Sequence, residues 1–295
     1  MKAGTAPRFL IVTADDFGLH EALNEAVYRA ADDGVLSSAS LMVAAPATAD
    51  AVRRARELPQ LRVGLHLVLA DGWPTSPPSQ VPDLIDANGR LGTRLFSEGL
   101  RSFLLPRVRR QLAAEIRAQF EAFARTGLFL DHVNAHKHLH LHPTLLDMIV
   151  RIGRDFGLCT MRLPHEPLWF AVRGGGAAAV AGAALLRPWT FMMRRRLRAA
   201  GIACNDQVFG ISRSGAMDEA TLLEILRRLP LGVSEIYLHP AVPAHRPLAA
   251  AMRSYRHTDE LAALLSARVR AAVGRSQAAC GGFRDAFNMA PPRGY

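Results

Sequence analysis

The sequence predicts a (β/α) barrel, TIM-like and distorted, and three observations lead there. Short apolar, β-branched runs alternate with longer amphipathic ones six or more times, the pattern of a parallel sheet covered by helices. The alternation runs over nearly the whole chain without a linker or internal repeat, so 1–295 reads as one catalytic domain. Residues able to do chemistry follow directly on the apolar runs, where parallel barrels place function.

In order, residues 9–13 (Phe-Leu-Ile-Val-Thr) predict a strand. Residues 21–33 predict a helix that Gly34 ends. A strand at 40–43, a helix at 48–58 and a strand at 61–69 follow, then a loop at 71–92 rich in Pro, Gly and Asp. Residues 106–125 predict a long Arg-rich helix, 129–135 a strand, 144–156 a helix and 159–163 a strand. An insert at about 168–203, long for a loop in such a fold, is apolar at Trp169, Phe170, Leu185, Leu186, Trp189 and Phe191 and then runs into Arg194-Arg-Arg196. A helix near 218–229, a strand at 234–238 and a helix near 259–273 complete the series.

Composition excludes several classes. With 295 residues, 49% hydrophobic and 21% charged, the chain can bury a large core, and disorder over most of it is ruled out. Three widely spaced cysteines, Cys159, Cys204 and Cys280, make no disulfide framework and favour a reducing compartment. No apolar run reaches the ~18–20 residues of a membrane span. The run at 9–14 is too short for a signal peptide and ends in Asp15-Asp16. The expectation is a cytoplasmic protein that touches the inner face of a membrane. The net charge is +10, and all but Lys2 and Lys137 of the 36 basic residues are arginine. Solvated helix faces under a coding bias explain this; with no aromatic stacking platform beside the charge, no nucleic-acid partner is expected.

The chemistry sits at strand ends. Asp15-Asp16 close the first apolar run in Thr-Ala-Asp-Asp-Phe-Gly. Adjacent strand residues point to opposite faces, so one carboxylate could ligate a metal while the other serves as base; a helix N-cap is the structural alternative. His66 closes Val-Gly-Leu-His, where a core histidine is the simpler reading of that residue alone. Residues 131–143 hold five of the 11 histidines. In an extended segment His132, Asn134, His136, His138 and His140 would project from one face. A packed core has no use for so many imidazoles, whereas two or three of them with a carboxylate make a hydrolytic metal site with an open position. Arg162 and His239 end two further runs. There is no Gly-x-Ser-x-Gly elbow, reactive cysteine, phosphate loop or dinucleotide fingerprint, and Gly174-Gly-Gly176 reads as a loop. Metal-assisted hydrolysis remains: an ion activates water, a carboxylate takes its proton and a histidine supplies one to the leaving amine.

Thr-Ala-Asp-Asp-Phe-Gly, Gly-Leu-His-Leu, His-x-Asn-Ala-His-Lys-His-x-His and Leu-His-Pro, in this order, resemble the YdjC-like carbohydrate deacetylases, a family that includes the chitooligosaccharide deacetylases. The resemblance runs from about residue 8 to 285. It implies a barrel related to the polysaccharide deacetylases, one divalent metal ion (Zn2+ favoured, with Mg2+ also described for the family) and hydrolysis of an N-acetyl group from an amino sugar. It places the base on Asp15 and the metal ligands on Asp16, His66 and His136. His239 is the acid or oxyanion support, with His138 as competitor; His138, Arg162 and Asn134 are assigned to substrate. Many members carry Asp-Ser where this chain has Asn134-Ala135. That variant, with Ser-Leu-Met-Val-Ala at 40–44 and Asn205-Asp206-x-Val-Phe-Gly, resembles the hopanoid-biosynthesis-associated branch. The substrate implied there is an N-acetylglucosaminyl hopanoid lipid. The insert suits a greasy aglycone or an anionic bilayer surface, or else is a helical hairpin packed on the barrel or across a homodimer interface. Two alternatives stay open: a deacetylase of soluble chitooligosaccharides such as diacetylchitobiose, and a non-catalytic basic protein that binds lipid or nucleic acid.

Overall fold

The computed structural model describes residues 8–92, 105–244 and 248–289. Its centre is β1 (Arg8–Phe17), longer at both ends than 9–13. Helix α1 (Glu21–Asp32) follows, capped by His20, whose Nδ1 accepts the N–H of Ala22; neither Asp15 nor Asp16 is the cap. Next come β2 (Ser38–Leu41), α2 (Thr48–Glu57) and β3 (Arg62–Leu67). After them lie α3 (Pro106–Arg125), β4 (Val133–Ala135) and α4 (Pro143–Gly153). A long helix α5 (Leu168–Ala199) precedes β5 (Gln207–Phe209), α6 (Glu219–Arg227) and β6 (Gly232–Leu238). The chain ends in α7 (His257–Leu265), α8 (Ala267–Ser276), β7 (Ala279–Cys280) and α9 (Phe283–Ala286).

The strands lie in the order β4-β3-β2-β1-β6-β5, all parallel, with β7 beside the start of β1. Beyond β4 the sheet curls on through parallel bridges Val133–Met161 and Thr160–Ala203, and the N–H of Val208 in β5 reaches the carbonyl of His165 at 3.0 Å. The result is the expected parallel α/β fold, a curled half-barrel consistent with a distorted TIM-like barrel.

Period two sorts each strand into an outer and an inner face. On β1, Leu10, Val12 and Ala14 join the main core under the helices, while Ile11 packs with Val233 of β6 and Phe283 of α9. Above that plug the interior turns polar: Thr13 Oγ1 donates to Glu235 at 2.8 Å. The inner face of β6 continues through Glu235 and Tyr237 to His239 just past its end. A side chain at position 64 would meet the His132 ring at 2.5 Å, so Gly64 on β3 lets that buried imidazole lie across the interior.

Several expectations are corrected. Residues 129–132 are not strand, although the backbones of Asp131 and His132 still bond to β3, and 159–163 contribute only the two bridges. The helix expected at 259–273 is two helices parted at Ser266, whose hydroxyl caps the second by accepting from the N–H groups of Arg268 and Val269. Gly174-Gly-Gly176 is not a loop: α5 runs through it, kinked where Gly176 takes φ +65°. Strands β5 and β7 were not expected; at three and two residues they are too short for periodicity to show. Among the described residues, no helix is long and apolar enough to cross a membrane.

Candidate active site

At the C-terminal strand ends Asp16, His66 and His136 bring one carboxylate oxygen and two ring nitrogens together. Asp16 Oδ1 lies 3.1 Å from His66 Nε2 and 3.0 Å from His136 Nδ1, and the two nitrogens are 3.4 Å apart. The donor set fits a divalent ion: one oxygen and two imidazoles converge, and Asp16 Oδ2, though buried, has no hydrogen-bond partner among the described residues.

Alternation alone would turn Asp16 away from Asp15 toward the outer helices. The register of β1 slips between Ala14 and Phe17, and Asp16 takes φ +60°. This bulge swings both carboxylates over the barrel mouth. The histidine run departs from the expected single face in the same way. His132, Asn134 and His136 do point inward in alternation, but 136–141 is a 3-10 turn with Lys137 and His138 left-handed at φ +54° and +53°. His138 and His140 therefore leave the row. Left-handed non-glycine residues cost about 1–3 kcal/mol each, and three of them cluster here.

Asp15 is almost fully buried and clasped by Arg162, with Oδ2–Nη1 at 2.5 Å and Oδ1–Nη2 at 3.0 Å. Burial alone would raise its pKa, but the Arg162 guanidinium beside it wins and holds the carboxyl well below the usual range. Arg162 has no exposed surface and is saturated from behind by Glu235, at 2.8 and 2.6 Å, and by the Tyr237 ring, 4.6 Å from its carbon. Asn134, equally buried, bonds Asp15, Ser40 and His66. These two residues thus stand behind the Asp-His-His group and do not line the cavity.

His239 faces the cluster from β6, its Nε2 3.8 Å from Asp16 Oδ2. Its backbone is pinned: the N–H donates to Glu260 at 2.6 Å, and the carbonyl bonds His257 Nδ1 at 2.6 Å. Burial lowers its pKa against the pull of Asp16 and Asp15. His138 lies across the site with Nε2 3.1 Å from the Tyr237 hydroxyl. Burial first, then the Arg162 charge, pushes it down to about 3. Burial also raises the Tyr237 phenol well above its ordinary value, so that hydroxyl keeps its proton.

The cluster floors a cavity of 280 Å³ with an apolar part, Leu19, Met42, Ile211, Leu248 and Met252, and a polar part at Asp71, Lys137 and Arg90, the last beside Trp73. Three residues that shape it went unnoticed in the sequence. Gln111, Glu115 and Gln119, spaced by four on α3, are buried and hold the loop after β3. Glu115 accepts the N–H groups of Thr75 and Ser76, Gln111 that of Asp83, and Gln119 that of Val68. A polar stripe at helical spacing on an otherwise buried face is the signal that could have revealed them. Glu166 does the same for the opposite wall through the N–H groups of Gly210, Ile211 and Ser212.

Glu260, on α7, carries a pH prediction. Burial pushes its carboxyl up to about 7, against the bonds from Met217 and His239. A carboxyl raised on folding contributes stability that is full below its unfolded value of 4.5 and is lost as pH rises through about 7. Wild-type protein should therefore melt lower at pH 8 than at pH 5.5 relative to Glu260→Gln. Equal pH dependence in melting scans of both would refute the assignment.

Fold and site together define a parallel barrel with an Asp-His-His group beside an arginine-held carboxylate at its mouth. A model of the YdjC-like protein family matches residues 9–275, and the chain belongs to that family. A carbohydrate deacetylase of Brevibacillus brevis is 30% identical over 265 residues, covering 88% of this chain and 92% of the relative. One from Geobacillus stearothermophilus is 35% identical over 162 residues, 55% of this chain and 60% of the relative. Among solved structures, one from Enterococcus faecalis V583 superposes with a TM-score of 0.75 at 22% identity, covering 95% of this chain and 99% of the other, a likeness of fold.

Proposed function

We propose that this protein is a metal-dependent carbohydrate N-deacetylase, hydrolysing the acetamide of an N-acetylated amino sugar. The observation that carries the reading is the convergence of Asp16, His66 and His136 next to a second carboxylate that is held ionised but takes no part in the cluster. The deacetylase relatives support it. Asp16, His66 and His136 would hold the ion, with zinc favoured over magnesium by the nitrogen-rich donor set. Bound there, a divalent ion acidifies water and polarises an amide carbonyl, so that even a strongly ionised carboxylate suffices as base.

The protein's own groups then divide the work. Asp15, kept charged and oriented by Arg162, accepts the proton of the attacking water. His239, next to Asp15 at the end of the neighbouring strand and on a backbone fixed by Glu260 and His257, takes up the proton that Asp15 has accepted and passes it to the departing amine. His138, its Nε2 occupied by Tyr237, has its other nitrogen without a partner among the described residues and offers that N–H to the developing oxyanion. Arg162 and Asn134 act from behind the site instead of touching sugar.

The finer substrate reading is an N-acetylglucosaminyl hopanoid, taken from the inner membrane face. The apolar part of the cavity suits an aglycone. On α5 the outward face shows Leu185 at 81%, Phe191 at 63% and Met192 at 44% exposure, and Arg195, Arg196 and Arg198 follow. That pairing suits an anionic bilayer. The Trp189 indole N–H bonds the Leu141 carbonyl at 2.7 Å, tying this helix to the histidine turn. The test is acetate release by zinc-loaded protein from the glycolipid in anionic vesicles and, in parallel, from diacetylchitobiose. Release from the lipid, depressed by Leu185→Glu with Phe191→Glu, is expected. Release from the soluble sugar alone would keep the mechanism and overturn the lipid.

A further inference from the structure

We propose that Asn134 is a positioning residue that sets two things at once: which nitrogen of His66 is free to bind metal, and where the base Asp15 points. The inference rests on the metal-site reading above and deepens it.

Asn134 has no exposed surface, and its amide is fully used. Its Oδ1 lies 2.7 Å from His66 Nδ1; its Nδ2 lies 3.0 Å from Asp15 Oδ1 and 2.9 Å from Ser40 Oγ. The chemistry fixes which end is which. Both Asp15 oxygens already accept from the Arg162 guanidinium, so the amide NH2 faces this carboxylate and the amide oxygen faces His66. That oxygen can only accept, so His66 carries its proton on Nδ1. In the neutral ring this leaves the Nε2 lone pair for a metal, 3.1 Å from Asp16 Oδ1 inside the cluster.

The arrangement is locked from below. Ser40 Oγ accepts from Asn134 and so turns its own proton to His132 Nε2 at 3.0 Å. His132 then holds its proton on Nδ1, 3.0 Å from Asp131 Oδ2. Asp131 in turn accepts the backbone N–H groups of Phe283 and Arg284, at 2.9 and 3.0 Å. On this assignment the protons point one way from His66 down to Asp131, which accepts from the last helix as well. Asn134 is where the row meets both the ligand and the base.

In this chain the one side chain at 134 both accepts from an imidazole and donates to a carboxylate. An ionised aspartate would accept but not donate, and would bring two carboxylates to about 3 Å, where one must take up a proton. Alanine could do neither. The two substitutions should therefore separate. Asn134→Ala should weaken zinc binding to the metal-free protein, read by competition with a chelating dye, roughly 10–100-fold, the usual effect of losing a ligand's supporting bond. Asn134→Asp should hold zinc within about tenfold of wild type yet lose kcat by roughly 10–100-fold, with KM little changed. Turnover is read as acetate release from whichever of the glycolipid and diacetylchitobiose wild type hydrolyses. Ser40→Ala, which removes only the lower partner, should stay within about threefold in both readouts.

Wild type that binds zinc, with folded Asn134→Ala binding it equally well, would overturn this inference alone. Wild type that binds no zinc would overturn the metal reading and this inference with it. Asn134→Asp with full kcat would also overturn it. Should Asn134→Ala fail to fold, the split between zinc affinity and kcat in Asn134→Asp carries the test by itself.

Discussion

Asp16→Asn is expected to lose the divalent ion and acetate release together, while Asp15→Asn keeps the ion and loses only turnover. The two residues are neighbours in sequence and both are buried, yet their surroundings differ in kind. Asp16 touches two imidazoles and no cation, and one of its oxygens has no hydrogen-bond partner among the described residues. Asp15 meets a guanidinium and an amide and, among the described residues, is not part of the Asp-His-His group. Removing charge from Asp16 leaves two neutral nitrogens to hold a dication, so affinity should fall by more than the ~10–100-fold produced by losing a supporting hydrogen bond. Removing charge from Asp15 should lower kcat by ~10²–10⁴, the usual worth of a general base. Metal content of the dialysed proteins and acetate release measured side by side decide it. If Asp15→Asn were the variant that lost metal, the two assignments would be exchanged.

Arg162→Met is expected to be among the most destabilising single substitutions in the barrel. Arg162 is the cation against which both Asp15 and Glu235 are buried. Its removal leaves two carboxylates inside the barrel without a counter-charge, a change that costs about 3–5 kcal/mol. Arg162→Lys should recover only part of this, because an ammonium cannot fork between two carboxylates. Combining Arg162→Met with Glu235→Gln should recover more than Glu235→Gln alone costs, since it removes one of the stranded charges. Urea unfolding of the metal-free proteins measures each. A loss below about 1 kcal/mol for Arg162→Met would mean that the cluster does not hold the interior together.

The members of the candidate site could be read one by one from the sequence, since Asp15, Asp16, His66, His136, Arg162 and His239 each close an apolar run. Their division into front and back could not. The resemblance assigns Arg162 and Asn134 to substrate; in the structure both are buried against Asp15, whose charge needs partners. Asp15 and Asp16 read as pointing to opposite faces, which is what an ordinary strand imposes. The left-handed Asp16 reverses it, and no propensity announces a strained non-glycine residue.

From the order of its apolar runs alone, this sequence determines a parallel α/β barrel and the ring of strand ends that bears chemistry, because strand period and burial are local properties of the chain. Tertiary structure alone decided that adjacent aspartates both face the barrel mouth, that a row of histidines breaks after His136, and that Asn134 bonds both His66 and Asp15. Each of these depends on partners 66 to 147 residues away in sequence, from Asp71 paired with Lys137 at the mouth to Arg162 on Asp15. Buried polar groups must find such partners wherever the fold brings them, and that requirement leaves no periodic trace in the chain.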